Sequence, residues 1–407
     1  MHISRGHSLP NARECVCNQQ APDARGLAPV LGTILLVAGC ATSAQRLRDS
    51  QLAPFLAAPR LEIQQLYEDE RFPNIVVTRA GTLLATWGQT SVRVRRSTDG
   101  GATWGADVTV ADPGFHGGGT TVDQRSGDIF AFAEGGHPPA LVTQYRSTDD
   151  GLTWQAEAAL IQPDRLGHSP SMHMNEHGIT LLRGPHAGRL VRPTRWYAGK
   201  NERARWPLHY TNAIYSDDGG ASWCTSDPFP ENGTGEAALV QLWDGRIYYN
   251  SRVHWDARPN NTRRRAAWSE DGGATWVDWC IVEALPDGHQ QRSYGCMGGL
   301  TRLPVDGADI LVFSNLDTEA PKRERISVWA SFDGGRTWPV KRLIFAGASA
   351  YSSLAAGRAG TPSEGWIYLH FEGGQPEGGG SSVARFNLAW LLEGERTGDG
   401  ELPEFGS

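Results

Sequence analysis

The chain has 407 residues, 49 of them Gly and 15 Trp, and a formal net charge of −7. Acidic and basic residues are mixed along it, which excludes the basic footprint of a nucleic-acid binder, and its apolar content excludes general disorder. Six cysteines show no Cys-x-x-Cys spacing, so no metal centre is implied.

The only long apolar stretch, Ala28 to Cys40, is too short for a confident membrane span. It ends in Val37-Ala38-Gly39-Cys40, the pattern of a bacterial lipoprotein signal with Cys40 as the lipidated residue. Residues 1–40 are therefore read as a signal region and 41–60 as a tether. On this reading the protein is exported to the outer membrane, cell surface or periplasm. It touches the membrane only through its N-terminal lipid.

From Leu61 to Leu392 the chain reads as short strands. Asn74–Thr78, Thr82–Thr86, Val92–Arg95, Asp128–Phe132 and Ile247–Asn250 are β-prone and bounded by turn residues. No segment in this region has the pattern of a convincing helix. Tyr197 to His209 is the longest irregular insertion, and the tail 393–407 is acidic, Gly-rich and expected to fray.

Five copies of Ser-x-Asp-x-Gly-x-x-Trp punctuate the strands, starting at Ser97, Ser147, Ser216, Ser269 and Ser331. In each, Asp is suited to accept amide hydrogen bonds within a turn, Gly to supply left-handed backbone, and Trp to seal one unit against the next. The boxes recur about every 58 residues, so the strand-rich region holds six units, the last without a box. Units of this length predict an all-β fold, a six-bladed β-propeller of four-stranded blades. Cys224 and Cys280 each follow a box Trp closely and are a candidate disulfide pair.

The boxes do not name a reaction, because such repeats serve unrelated functions. A series of further motifs does resemble a family. Arg71-Phe72-Pro73 is followed by Asn74 to Ala85, then by Gly178 to Pro193, Gly235-Glu236 to Arg252, Arg323 to Val328, Ala350-Tyr351-Ser-Ser-Leu354, Tyr368 to Glu372 and Ala384 to Leu391. This order is similar to that of the exo-sialidases (neuraminidases), over roughly Leu61 to Leu392.

The resemblance implies an exo-glycosidase that releases a terminal α-linked sialic acid, or a related nonulosonic acid, with retention. It needs no cofactor, and its partner is a sialylated or other acidic glycan. Arg71, Arg252 and Arg323 match the triad that binds the sugar's carboxylate. Such a role suits Arg, which stays charged and offers a planar donor fork. Tyr351 matches the nucleophile and Glu236 its base, since sialidases replace the usual carboxylate nucleophile with Tyr. A phenol with a pKa near 10 needs a base beside it. Glu372 matches the residue that orients the first Arg. Trp196 and Tyr197 are candidate walls for the sugar, and Gln89 is a candidate substrate contact or water-positioning group.

One departure matters. The family places an Asp acid/base between its first motif and the first box, yet Leu84 to Arg96 contains no Asp or Glu. His116 is a candidate replacement, because His titrates near neutrality; His173 and His177 are rivals. The same gap also fits a related acidic sugar or a leaving group that needs little protonation, or a glycan-binding propeller without catalysis; a surface scaffold without a carboxylate pocket is a separate rival reading.

Overall fold

The computed structural model describes residues 43, 45–200, 202–256, 258, 263–289, 293–318, 320, 322–375 and 379–404. The signal region, with Cys40, lies outside the described residues.

Alternating strand and turn residues produce antiparallel meanders, each a run of consecutive strands. Asn74–Val77, Leu83–Trp87, Val92–Ser97 and Val108–Ala111 form one four-stranded sheet. A five-stranded sheet follows, centred on Ile129–Glu134 and Val142–Ser147. Two further four-stranded sheets span Ile179–Thr225 and Thr234–Pro286.

The remainder differs from the expected six equal blades. The strand Val340–Ala356 is 17 residues long and runs through a single eight-stranded sheet. The architecture is thus all-β and propeller-like, with four separate blade-sized sheets and one sheet of double size. Box spacing marks turns, and a turn does not reveal whether the hydrogen-bond ladder breaks between units.

Each box folds as one device. In the first, Asp99 Oδ1 accepts from the amides of Ala102 and Thr103 at 3.0 Å, and Gly100 and Gly101 take φ of 71° and 81°. The Thr103 hydroxyl and backbone amide hold the Asp99 carboxyl at a pKa of about 2. The box tryptophans are used unequally. Trp223 and Trp338 are fully buried, and Trp223 packs edge-on against Phe132 of the preceding sheet, with ring centroids 5.8 Å apart.

The sheets meet at a buried polar hub. Ser353 Oγ donates to Glu176 Oε1 at 2.7 Å, and the Asn74 amide donates to Ser353 Oγ at 2.9 Å. Asn175 Oδ1 accepts from the Ala237 amide at 3.0 Å, and Asn74 Oδ1 from that of Thr120 at 3.1 Å. Five sheets are thereby tied by side chains of their innermost strands and the turns between them. Burial pushes the Glu176 carboxyl well above its ordinary pKa, so it is a neutral hydrogen-bonding post.

The first and last of the described elements are integrated. Leu61–Tyr67 pairs antiparallel with Ser381–Phe386, so the first strand completes the last sheet. Residues 45–52, expected to be tether, are helical, and Leu52 and Phe55 join the largest apolar cluster. Leu388–Leu392 is a short helix capped by the Asn387 side chain. The expected fraying of the tail does not occur at once: Glu395–Arg396 pairs with Val340–Lys341, and Asp399 accepts from the Trp338 amide at 2.9 Å. Cys224 and Cys280 are both free thiols, so the candidate disulfide is absent.

Candidate active site

Arg71 sits in the turn before the first inner strand. Glu372, at the end of Ile367–Gly373, grips it with both oxygens, at 3.1 Å to Nε and 2.9 Å to Nη2. Glu372 Oε1 also accepts the Phe72 amide at 3.2 Å, which fixes the turn as well as the guanidinium. The Arg71 side chain remains 41% exposed, so its outer face is open to a ligand.

Tyr351 lies on the long strand Val340–Ala356 and is buried. The guanidinium carbons of Arg71 and Arg323 stand 5.0 and 5.3 Å from its ring centroid. Arg323 donates to the Gly295 carbonyl at 3.3 Å. Arg252, fully buried on Ile247–Val253, ion-pairs with Glu236 on Thr234–Gln241. Its charge, like that of Arg323, reaches the phenol. These six residues come from three sheets or the turns beside them. Arg71, Arg323 and Glu372 also line a cavity of about 290 Å³ that opens beside them.

Burial, and then the Glu236 carboxylate, push the Tyr351 phenol above its ordinary pKa, against the pull of Arg323 and Arg252. The resting phenol is therefore protonated. Burial opposes ionisation of Glu236, but the guanidiniums of Arg252 and Arg195 outweigh it and hold this carboxyl below the usual range. A protonated phenol thus lies within the field of an ionised carboxylate.

Arg195 was not singled out by the sequence. It is buried on Leu190–Trp196 and donates to Glu236 Oε1 at 3.4 Å. Its Nη2 meets Nδ1 of His254 at 3.1 Å and of His209 at 3.3 Å, and its guanidinium stacks 4.1 Å over Tyr197. Because Arg only donates, both Nδ1 atoms are acceptors and both imidazoles are neutral here. The one available signal was an Arg within the apolar strand Leu190-Val-Arg-Pro-Thr-Arg-Trp196, where a charge needs a partner.

The other candidates are spread out. Tyr197 is on this wall, but its neighbour Trp196 turns away and stacks on His168 at 3.8 Å. Gln89 is exposed, and its amide donates to Glu70 Oε2 at 2.6 Å. His116 is buried, and desolvation beside Arg192 lowers its pKa to about 3, so it holds no acidic proton at neutral pH. His173 is packed between Phe72 and Phe115, at 5.1 and 4.5 Å, and burial lowers it well below its ordinary value. His177 contacts the carbonyls of Gly178 and Leu354 and lines a different cavity, of about 600 Å³. The insertion 197–209 contains a 3₁₀ turn, Arg203–Leu208, whose Trp206 stacks on His254 at 4.3 Å.

Residues 81–363 match the BNR repeat-like domain family. The chain is 32% identical over 362 residues to a sialidase of Micromonospora viridifaciens, covering 80% of this chain and 52% of that protein. It is 29% identical over 208 residues to a sialidase of Vibrio cholerae, covering 44% and 25% respectively. The chain thus spans from a quarter to about half of these relatives' length. A Hadza microbial sialidase superposes with a TM-score of 0.58 at 23% identity, over 79% of this chain and 66% of that one. The intramolecular trans-sialidase of Ruminococcus gnavus does so at 0.59 and 16% identity, over 80% and 95%, and both likenesses bear on the fold. Ordered repeats, sheet topology and these relatives agree: the chain belongs to the BNR repeat-like domain family and is a member of the sialidase superfamily.

Proposed function

We propose that this protein is a retaining exo-sialidase, acting on a terminal α-linked sialic acid or a similar nonulosonic acid. The observation that carries this reading is the enclosure of Tyr351 by Arg71 and Arg323 beside the Arg252–Glu236 pair. An anionic carboxylate on the reacting carbon fits among three guanidiniums. Its arrival gives Arg252 a second anion to bind, which loosens its hold on Glu236. Tyr351 Oη then attacks the anomeric carbon, its proton passes to Glu236, and the bond to the aglycone oxygen breaks. Water then attacks from the face the aglycone left, its proton neutralising the departed oxygen; the bond to Tyr351 Oη breaks as Glu236 returns the proton, and two inversions give retention.

We also infer six blades, with the eight-stranded sheet serving as two. Val340 to Ala348 pairs with Glu324–Ala330, and Ser349 to Ala356 pairs with Ile367–Gly373, with an irregularity between Ser349 and Ser352. A density map with five sectors around the axis would overturn this count.

The functional test uses 4-nitrophenyl α-sialoside and 3′-sialyllactose as substrates. The wild-type protein should release free sialic acid with the α-anomer formed first, as read by NMR. Tyr351→Phe should lose a factor on the order of 10³ or more in kcat at an unchanged melting temperature. A glycan-binding protein without catalysis is the second reading, favoured by the lack of an acid in the turn Gly88 to Ser91. It predicts saturable binding of sialyllactose with no release from either substrate.

A further inference from the structure

We propose a second binding site, for a small organic anion carrying a phosphate or carboxylate group, at the end of the inner strands opposite Tyr351. Its anchors are Arg79 and Arg358, and it does not depend on the sialidase reading.

Three chain segments run in one direction from the surroundings of Tyr351, through the polar hub, to this second place. One passes from Arg71 through Asn74 to Val77, another from Tyr351 through Ser353 to Ala356, and a third from His173 through Glu176 to Ile179. Val77 stands three strand residues beyond Asn74, roughly 10 Å along the chain. There the segments border the cavity of about 600 Å³ that His177 also lines. It shares no lining residue with the cavity beside Arg71 and Arg323. Small-molecule sites occupy roughly 300–1,000 Å³, so its size is suitable.

The lining suits an anion with an apolar body. Val76, Val122, Ile179 and Ala355 supply apolar wall, and none of the described residues lining the cavity is acidic. Three arginines line it, in a protein whose net charge is −7. Arg302 is matched by Asp309 at 2.8 Å. Arg79 and Arg358 have no carboxylate partner among the described residues; both bond to neutral oxygens instead.

Arg79 Nη1 donates to the Arg125 carbonyl at 2.5 Å, and Arg358 Nη2 donates to the side-chain oxygen of Gln124. Gln124 and Arg125 are adjacent in the chain, so both guanidiniums are drawn to one turn. Each spends one nitrogen in this way and keeps the rest of its donor fork. The Arg358 loop is fixed as well. Its amide donates to Ser363 Oγ at 3.0 Å, and its carbonyl accepts from the Thr361 hydroxyl at 2.8 Å. Burial, and then the Arg79 charge, lower the Arg358 pKa. Two like charges held together without a counter-ion are eased by an anion beside them. A guanidinium fork also matches the oxygens of a phosphate or carboxylate.

The test titrates the full chain by calorimetry with 4-bromophenyl phosphate and 4-bromobenzoate, and with 4-bromobenzyl alcohol as the uncharged control. Crystals soaked in the same compounds locate the ligand through the anomalous signal of bromine. The expected result is saturable binding of at least one anion, with bromine density in the cavity bordered by Val76 and Ala355. Kd should rise about tenfold or more in both Arg79→Gln and Arg358→Gln. The tighter-held probe tells phosphate from carboxylate. Arg79 is exposed, so its variant should keep the wild-type melting temperature and guards against a folding defect in Arg358→Gln. No binding of either anion, binding of the alcohol as tight as theirs, bromine density only beside Arg323, or an unchanged Kd in either variant overturns the site.

Discussion

Glu134 shows what burial does to one carboxyl. It is the last residue of Ile129–Glu134, with three donors on Oε1 and no partner on Oε2. Burial raises its pKa to about 7, and the hydrogen bonds and Arg192 only partly oppose this. A carboxyl of ordinary pKa in the unfolded chain is thus more easily protonated in the fold. Its contribution to stability is full below about pH 4.5 and is lost as pH rises through 7. Between pH 5 and 8 the wild type should lose on the order of 3 kcal/mol more than Glu134→Gln in urea unfolding. Parallel pH profiles would sink the idea. None of this was legible in the sequence, where Glu134 is one acid before a Gly-Gly loop. Tyr351 and Glu236 were legible because each stands within an ordered motif. Arg195 was not, since its importance comes from Glu236, which lies 41 positions away.

At the scale of the element, the Asp box divides its labour. Asp218 Oδ1 accepts from the Ser222 amide at 2.9 Å and Oδ2 from its hydroxyl at 2.6 Å, on an exposed turn. Trp223, five residues on, is 1% exposed, and its indole donates to Gln144 of the preceding sheet at 2.8 Å. Asp218→Ala should cost about 1–2 kcal/mol, the scale of lost turn hydrogen bonds. Trp223→Ala should cost about 3–5 kcal/mol, the scale of a large buried cavity. Equilibrium denaturation of the two variants checks the order, and the reverse order would show that the turn rather than the wedge joins the sheets. The repeat was readable because its chemistry is local. Which tryptophans are wedges was not, since Trp104 and Trp154 sit in the same motif yet are only half-buried.

At the scale of the molecule, closure depends on the chain's beginning. Leu61–Tyr67 is hydrogen-bonded along Ser381–Phe386, and Leu66 and Tyr67 are buried against Trp87 and Tyr368. Removing residues 1–67 would strip that cluster and expose a sheet edge, which invites aggregation. The truncated protein should lose its cooperative thermal transition, whereas the full chain should keep one. A truncated form melting within a few degrees of the full chain would refute this dependence.

By itself the sequence determined the strands, the five turn devices and the order in which the site's residues occur. These follow from properties of a few adjacent residues: β-propensity, the left-handed freedom of Gly-Gly, and motif chemistry. Only the tertiary structure decided that one strand serves two halves of a double-sized sheet, that Leu52 and Phe55 join the core, and that His116 lies buried. Those outcomes turn on which distant surfaces exclude water from a given side chain. No short stretch of sequence carries that information.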